Sequence, residues 1–236
     1  ASPQRLIDYA QIASEEESKN PKKFEIKQGK LEFKHLCMRY KENYPLVLKD
    51  LTFTVFAGQK VGIIGRTGAG KSSILGALFR LYSPSSGTIY IDGQDYLEAS
   101  LYDLRTQISV IPQSPTIFYA SIRDNIDPEN KYSEQEIIDV LKECRLQSLL
   151  ASSARGINTI LSEGGNISSG QKQLICLARA ILRRNKIVMM DEATSNVDSE
   201  TDKFIHKNIR KKFKDSTVLI VAHRLRTVIK TDMIIV

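Results

Sequence analysis

A short glycine-rich motif constrains the fold of this chain more than any other feature. It fits the pattern G-x-x-x-x-G-K-[ST] and consists of Gly65, Arg66, Thr67, Gly68, Ala69, Gly70, Lys71 and Ser72. The glycines let the backbone curl so that N–H groups point at phosphate oxygens, the lysine reaches the β- and γ-phosphates, and the serine hydroxyl binds Mg²⁺. A helix starting at Ser73 adds its positive dipole end. The motif therefore predicts a nucleotide site between a strand and a helix.

Apolar strands alternate with amphipathic helices along much of the chain. Strands are predicted at 61–64, 108–111, 187–190 and 217–222, and helices at 73–82, after Ser133, around 174–182 and around 204–209. This alternation favours an α/β fold whose mainly parallel sheet is covered by helices on both faces. Between Leu31 and Val55, short alternating runs on either side of a turn at 43–45 predict a small antiparallel sheet.

Composition limits the class of protein and the kinds of partner. With 236 residues and 42% hydrophobic content, the chain can bury a sizeable core, which excludes disorder throughout. Lys plus Arg exceed Asp plus Glu by 34 to 27, and this net charge of +7 suits nucleotide, nucleic acid or acidic lipid. The three cysteines, Cys37, Cys144 and Cys176, have neither disulfide-framework nor zinc spacing, which fits a reducing, cytosolic setting.

The two ends of the sequence resemble cut ends. Residues 1–28 are charged and are predicted to form a linker, with a short helix before it. The chain starts without Met and stops on the apolar run 233–236, so we expect a C-terminally truncated piece of a longer protein. No run of about 18 apolar residues and no signal peptide occurs, so we expect no membrane-spanning segment within these residues.

Two adjacent carboxylates follow the apolar run 187–190. Asp191 is placed to complete the metal shell of a nucleotide at the end of a strand near the glycine-rich loop. Glu192 comes next, within reach of the γ-phosphate side, where a carboxylate polarises an attacking water. An Asp-Glu pair alone is more often a solvated helix start, but its position after a strand in a chain with a phosphate-binding loop favours catalysis.

A Ser- and Gly-rich helix start lies between the loop and the carboxylates. Residues 166–173 read N-I-S-S-G-Q-K-Q and are similar to the signature L-S-G-G-Q of ATP-binding cassette (ABC) transporters. Taken alone, the segment is an N-cap whose N–H groups suit an anion. Its order after the loop and before Asp191 resembles that of the ABC nucleotide-binding domain. In that family the signature of one subunit meets the nucleotide bound to the opposite subunit. The matching residues here are Ser168, Ser169, Gly170 and Gln171.

The resemblance implies roles for further residues and implies ATP and Mg²⁺ as cofactors. Gln113 matches the glutamine that touches Mg²⁺ or the attacking water, and His223 matches the histidine that contacts the γ-phosphate. Tyr40 stands where the family stacks an aromatic ring on adenine, although a half-buried strand tyrosine is the alternative. Residues 195–198 resemble the loop that bridges the dimer, and Glu163 resembles the glutamate that meets coupling helices.

Finer similarity points to subfamily C, the multidrug-resistance-associated group, and to its second, C-terminal nucleotide-binding domain. The stretches that carry it are 111–118, 125–128, 171–180 and 191–202. The resemblance implies a domain over 29–236 with an inserted helical subdomain at about 114–172. It also implies, as partners, the transmembrane domains and first nucleotide-binding domain of the same transporter, at the cytoplasmic face of a membrane, and no nucleic acid. Glu192 favours the hydrolytic site, because the first domain of that group often has Asp there.

Departures and alternatives remain open at the level of sequence. Ser169 replaces a signature glycine and Ile167 a leucine, and the added Cβ at Ser169 could weaken approach to the partner's nucleotide. The leading hypothesis is an ATPase that drives export of organic anions, conjugates or drugs. A regulatory ATP sensor that gates a channel is the alternative. The basic run 207–214 suggests a third hypothesis, an ATPase associated with DNA or ribosomes. Such charges usually form a solvated helix face, however.

Overall fold

The secondary structure alternates between strands and helices as the sequence predicts. A computed structural model of the protein describes residues 3–12, 15, 20–66, 68–162, 167–192, 197–222 and 228–236. The strands are β1 (Leu31–Met38), β2 (Leu48–Val55), β3 (Lys60–Ile63), β4 (Ser86–Ile91), β5 (Gln94–Asp95), β6 (Ile108–Ile111), β7 (Ala120–Ser121), β8 (Ile160–Leu161), β9 (Ile187–Asp191), β10 (Thr217–Val221) and β11 (Met233–Ile235). The helices are α1 (Pro3–Ala10), α2 (Lys71–Leu78), α3 (Leu101–Thr106), α4 (Ile122–Ile126), α5 (Glu134–Glu143), α6 (Gln147–Ala151), α7 (Ser169–Arg183) and α8 (Ser199–Lys212), with 3-10 turns at Tyr96–Glu98 and Gly156–Asn158.

A parallel sheet positions the predicted site residues. Its strand order is β11-β3-β10-β9-β6, and every neighbouring pair is parallel. All of β10 is buried, which explains its uninterrupted apolar sequence. Because the strands run in one direction, their carboxyl ends share one edge of the sheet. The glycine-rich loop after β3, Asp191 at the end of β9 and Gln113 after β6 therefore lie along that edge.

A second, antiparallel sheet has the order β2-β1-β4-β5 and confirms the predicted β subdomain. Phe33 of β1 stacks on Phe53 of β2 with ring centroids 4.2 Å apart. Buried side chains of this sheet, such as Leu31 and Ile89, share one core with Ile74 of α2. The antiparallel sheet thus packs onto the helix that follows the glycine-rich loop.

The last part of residues 1–28, the predicted linker, packs into the core. Phe24 and Ile26 are buried in the core that lies under the antiparallel sheet. The Ile26 N–H donates to Gln107 Oε1 at 2.7 Å, and Gln107 Nε2 donates to the Phe24 carbonyl at 3.0 Å. Phe24 and Ile26 are apolar side chains two positions apart in an otherwise charged segment, and their burial draws the segment onto the fold. Farther upstream, α1 buries none of its residues.

A group of short helices lies between β6 and α7, where the inserted subdomain is expected. It contains α4, α5 and α6 and the antiparallel pair β7/β8. The helix predicted after Ser133 is α5, which begins with a capping box formed by Ser133 and Glu136. Arg179 of α7 donates to the Asn125 carbonyl at 2.6 Å and so ties the group to α7. Among all described residues, no helix combines the length and the apolar character needed to cross a membrane.

One predicted helix ends early, and the terminal apolar run forms a strand that was not predicted. The helix expected at 73–82 spans Lys71–Leu78 and ends before Pro84. It ends in a Schellman motif, in which Arg80 has φ +52° and the Leu81 N–H donates to the Gly76 carbonyl at 2.9 Å. The second difference is the terminal apolar run, which forms β11 as an edge strand beside β3.

The three cysteine thiols are free, as their spacing predicts. Burial raises the pKa of Cys144 to about 12 and also raises the pKa of Cys176. A buried thiol with a raised pKa forms little thiolate and is a poor nucleophile. These two cysteines therefore serve as small apolar side chains of the core.

Candidate nucleotide-binding site

The start of the loop between β3 and α2 contacts the ammonium group of Lys71. Lys71 Nζ donates to the carbonyl oxygens of Gly65 and Arg66, each at 3.0 Å, and the Lys71 side chain is mostly buried. The N-cap residue of α2 is Gly70, which has no side chain with which to cap the first turn. The helix start therefore offers main-chain N–H groups and a nearby positive charge to an anion.

The glycines of the loop have the backbone conformations that its curvature requires. Gly68 and Gly70 have φ values of +83° and +89°, which L side chains rarely adopt. A Cβ on Gly70 would lie 3.2 Å from Leu48 Cδ2, whereas no atom of the described residues lies within 4 Å of a Cβ on Gly68. The Ala69 N–H donates to the Arg66 carbonyl at 3.1 Å and closes a tight turn. The curl predicted from the motif is present.

Ser72 and Asp191 meet although they are far apart in sequence. Ser72 Oγ, in the first turn of α2, donates to Asp191 Oδ1 at 3.1 Å at the end of β9. A hydroxyl beside a carboxylate fits Mg²⁺, which protein oxygens usually share with substrate phosphates and water. Within the described ranges no group of three His, Cys, Asp or Glu side chains could hold a metal without such help.

Glu192 and Gln113 form a second contact at the same edge. Gln113 Nε2 donates to Glu192 Oε2 at 3.3 Å. The Glu192 N–H donates to the Val221 carbonyl of β10 at 3.0 Å, which anchors the residue directly after β9. Glu192 has φ +43°, a left-handed conformation that costs a side-chain-bearing residue about 1–2 kcal/mol. Such strain is commonly retained at functional sites and here accompanies the predicted catalytic carboxylate.

Tyr40 lies beside the start of α2. Its hydroxyl is 2.6 Å from Ser73 Oγ, and its ring contacts Tyr82 edge to face with centroids 4.8 Å apart. Ser73 is buried, whereas both aromatic side chains are exposed. The structure thus places Tyr40 and Ser73 together next to the loop. Tyr82 is a neighbour of this site that the sequence interpretation missed, because it was assigned only to the end of the helix.

The signature residues form the first turn of α7. Ser168 and Gln171 make a capping box in which the Gln171 N–H donates to Ser168 Oγ at 3.2 Å and Gln171 Oε1 accepts from the Ser168 N–H at 3.0 Å. Ser169 is the first helical residue. A Cβ on Gly170 would lie 3.8 Å from Asp198 Oδ2, so this helix start faces the start of α8.

Asp198, from the predicted dimer-bridging loop, caps α8. Its Oδ1 accepts from the Glu200 and Thr201 N–H groups at 3.0 and 2.9 Å. The Thr201 N–H and hydroxyl hold the pKa of Asp198 below its usual value. Of the residues named in the sequence analysis, Thr67, Glu163, Asn166, Ser195, Asn196 and His223 lie outside the described residues.

The ABC transporter family model matches residues 48–195, which include the loop, the signature and both carboxylates. The chain belongs to the ABC transporter family. Within that family, the glycine-rich loop and the α/β fold are those of its ATP-binding domain.

Named relatives confirm the resemblance to subfamily C. The chain is 46% identical, over 99% of its length, to the probable multidrug resistance-associated protein lethal(2)03659 of Drosophila melanogaster, of which it covers 18%. It is 45% identical, over its whole length, to human ATP-binding cassette sub-family C member 4, again covering 18% of that protein. The chain therefore spans under a fifth of these relatives.

A solved structure confirms the fold class. The chain superposes on a bacterial Atm1-family ABC exporter with ATP bound, with a TM-score of 0.86 and 30% sequence identity. The superposition covers 99% of this chain and 43% of that one. The predicted α/β core around the glycine-rich phosphate-binding loop (the P-loop), with its antiparallel and helical subdomains, is thus the fold of an ABC exporter's nucleotide-binding domain.

Proposed function

We propose that this chain hydrolyses ATP with Mg²⁺ and thereby powers an exporter of the multidrug-resistance-associated type. The observation that carries the proposal is the meeting, at one sheet edge, of two contacts that join three separate segments. Ser72 contacts Asp191, and Gln113 contacts Glu192, the next residue along the chain. The Ser72–Asp191 pair suits a metal ion, and the Gln113–Glu192 pair suits a water molecule. Both pairs lie next to the glycine-rich loop, whose backbone suits phosphates.

Each group has a distinct task in this proposal. Lys71 and the N–H groups of the loop bind the β- and γ-phosphates. Ser72, Asp191 and Gln113 would hold Mg²⁺, which neutralises phosphate charge when it is bound. Glu192 accepts a proton from a water as the water oxygen bonds to the γ-phosphorus and the bond to the ADP oxygen breaks.

Dimerisation completes the proposed site. We propose that Ser168, Ser169, Gly170 and Gln171 bind the nucleotide held on the P-loop of another nucleotide-binding domain. Their helix start faces α8 in this chain, and its capping box occupies the Gln171 N–H, so the main-chain N–H groups of Ser169 and Gly170 are the ones proposed to bind the anion. His223 is proposed to contact the γ-phosphate. The partners are the first nucleotide-binding domain and the transmembrane domains, at the cytoplasmic face of the membrane, and the transported substrates are organic anions, conjugates or drugs.

The direct test is phosphate release from ATP by the full-length protein in lipid vesicles. We expect hydrolysis that requires the intact P-loop, and uptake of an organic anion against its gradient. Hydrolysis without uphill flux would favour the alternative of a gating domain. Failure to bind or hydrolyse ATP would contradict the proposal as a whole.

Replacing Tyr40 by alanine is expected to raise the Kd for ATP about tenfold, because stacking of a base on an aromatic ring contributes about 1–3 kcal/mol. Tyr40→Phe keeps the ring and loses only the hydroxyl contact with Ser73, so its Kd should stay within about threefold of wild type. Tyr44→Ala, at another exposed tyrosine, is the control. Titration with a fluorescent ATP analogue measures all three. Equal weakening by Tyr40→Phe and Tyr40→Ala would rule out stacking as the cause.

A further inference from the structure

Gln173 of α7 is a buried amide that contacts the segment carrying Gln113. Its side chain is 2% exposed. Gln173 Nε2 donates to the main-chain carbonyls of Pro112 and Gln113, both at 3.0 Å. A flipped amide would turn its oxygen toward two carbonyl oxygens, so these contacts determine the orientation of the group.

The oxygen of the same amide, Gln173 Oε1, helps to explain why this buried position holds a polar residue. Among the described residues, nothing donates to Gln173 Oε1, although this atom is buried. An unpaired buried acceptor is unfavourable, and an apolar side chain of the same size would avoid that cost. Core packing therefore does not explain a glutamine here. The two hydrogen bonds to the main chain at Pro112 and Gln113 do.

These hydrogen bonds lie between two parts of the proposed site. Gln173 is in the same helix as the signature turn and only two residues after Gln171. Gln113, whose main chain Gln173 contacts, donates through its own side chain to Glu192 at 3.3 Å. One continuous series of contacts thus runs from the start of α7, through Gln173 and the Gln113 main chain, to Glu192.

We propose that Gln173 is a positioning residue, which holds the main chain of Gln113 in register with the signature helix and thereby orients the Gln113 amide toward Glu192. This inference rests on the proposed function, since Gln173 acts only through Gln113. Because the start of α7 is proposed to meet the nucleotide of the opposite site, the same two hydrogen bonds connect the two nucleotide sites of the dimer. A shift of α7 on docking would carry the Gln113 main chain with it.

Gln173→Met tests the role, because methionine keeps the length and approximate volume but has no donor. In the full-length protein we expect kcat for ATP hydrolysis to fall about tenfold, with the Kd for ATP within about twofold of wild type. Leu174→Met, a volume-conserving change at the next buried position of α7, is the control and should leave kcat nearly unchanged. Wild-type kcat in Gln173→Met would overturn the proposal.

The same change in a Gln113→Ala background separates positioning from general loosening of the fold. If Gln173 acts through the Gln113 side chain, Gln173→Met should lower kcat by less than about twofold once that side chain is gone. A merely structural role predicts the same fractional loss in both backgrounds, and that result would overturn the inference.

Hydrogen exchange supplies a readout that needs no hydrolysis. In Gln173→Met, main-chain amides of residues 113–118 should exchange about tenfold faster, while those of α5 should not change. Unchanged exchange at 113–118 would contradict the positioning contact itself. Absence of hydrolysis in the wild-type protein would instead contradict the proposed function, so the two failures are distinguishable.

Discussion

Replacing Glu192 by glutamine is expected to lower kcat for ATP hydrolysis by about 10²- to 10⁴-fold, while the Kd for ATP changes by less than about twofold. Glutamine has nearly the size of glutamate and can keep a hydrogen bond with Gln113, which now lies 3.3 Å from the carboxylate. It cannot accept the proton of an attacking water. Steady-state phosphate release and equilibrium titration with an ATP analogue measure the two quantities on the same preparation.

Glu200→Gln is a matched control for this prediction. Glu200 is an exposed glutamate of α8 that pairs with Arg145 at 2.7 Å, and exposed pairs of this kind contribute little to stability. Its replacement should leave kcat within about twofold of wild type. Hydrolysis by Glu192→Gln at the wild-type rate would remove Glu192 from the role of general base. Loss of ATP binding in that variant would show that the strained position at φ +43° tolerates no change.

The residues at the sheet edge could be predicted because local signals mark each of them. The glycine-rich loop, Asp191 and Gln113 each follow an apolar run that reads as a buried strand. In a parallel sheet the ends of such strands necessarily share an edge, so the order of motifs predicts their proximity. The contact between Ser72 and Asp191 is the physical outcome of that rule.

Other features depend on contacts between distant residues and leave no local pattern. Gln173 lies on α7, and only the packing of that helix beside β6 shows that its amide reaches the Pro112 carbonyl. The end of α2 is fixed by Arg80, whose buried guanidinium donates to the carbonyls of Tyr96 and Ala99 at 3.1 and 2.8 Å. No glycine, proline or asparagine at Phe79 or Arg80 marks the end of α2 in the sequence. The burial of Phe24 is likewise decided by the sheet that covers it.

Asp92→Ala is expected to lower the free energy of unfolding by about 2–4 kcal/mol, because one carboxylate satisfies four consecutive main-chain donors. Asp92 Oδ2 accepts from the N–H groups of Lys27, Gln28 and Gly29 at 2.8, 2.8 and 3.1 Å, and Oδ1 accepts from that of Lys30 at 2.8 Å. These contacts hold the segment before β1 against the fold. Urea denaturation followed by circular dichroism measures the loss.

The effect should depend on pH with a definite sign. Desolvation raises the pKa of Asp92, but the N–H donors of Gln28, Gly29, Lys30 and Lys27 outweigh it, and the net pKa lies below the usual value of 3.8. A carboxyl group whose pKa is lower in the folded state stabilises the fold fully above its unfolded pKa, and this stabilisation is lost as pH falls through the folded pKa.

The difference in stability between wild type and Asp92→Ala should therefore be largest near about pH 7 and shrink below about pH 4. Asp139→Ala, which removes an exposed carboxylate of α5, is the control and should cost less than about 0.5 kcal/mol at either pH. An equal loss for Asp92→Ala at both pH values would show that the residue acts through packing or through its left-handed backbone at φ +50°, and not through its charge. A loss that disappears in acid shows that the charged carboxylate is what holds residues 27–30 in place.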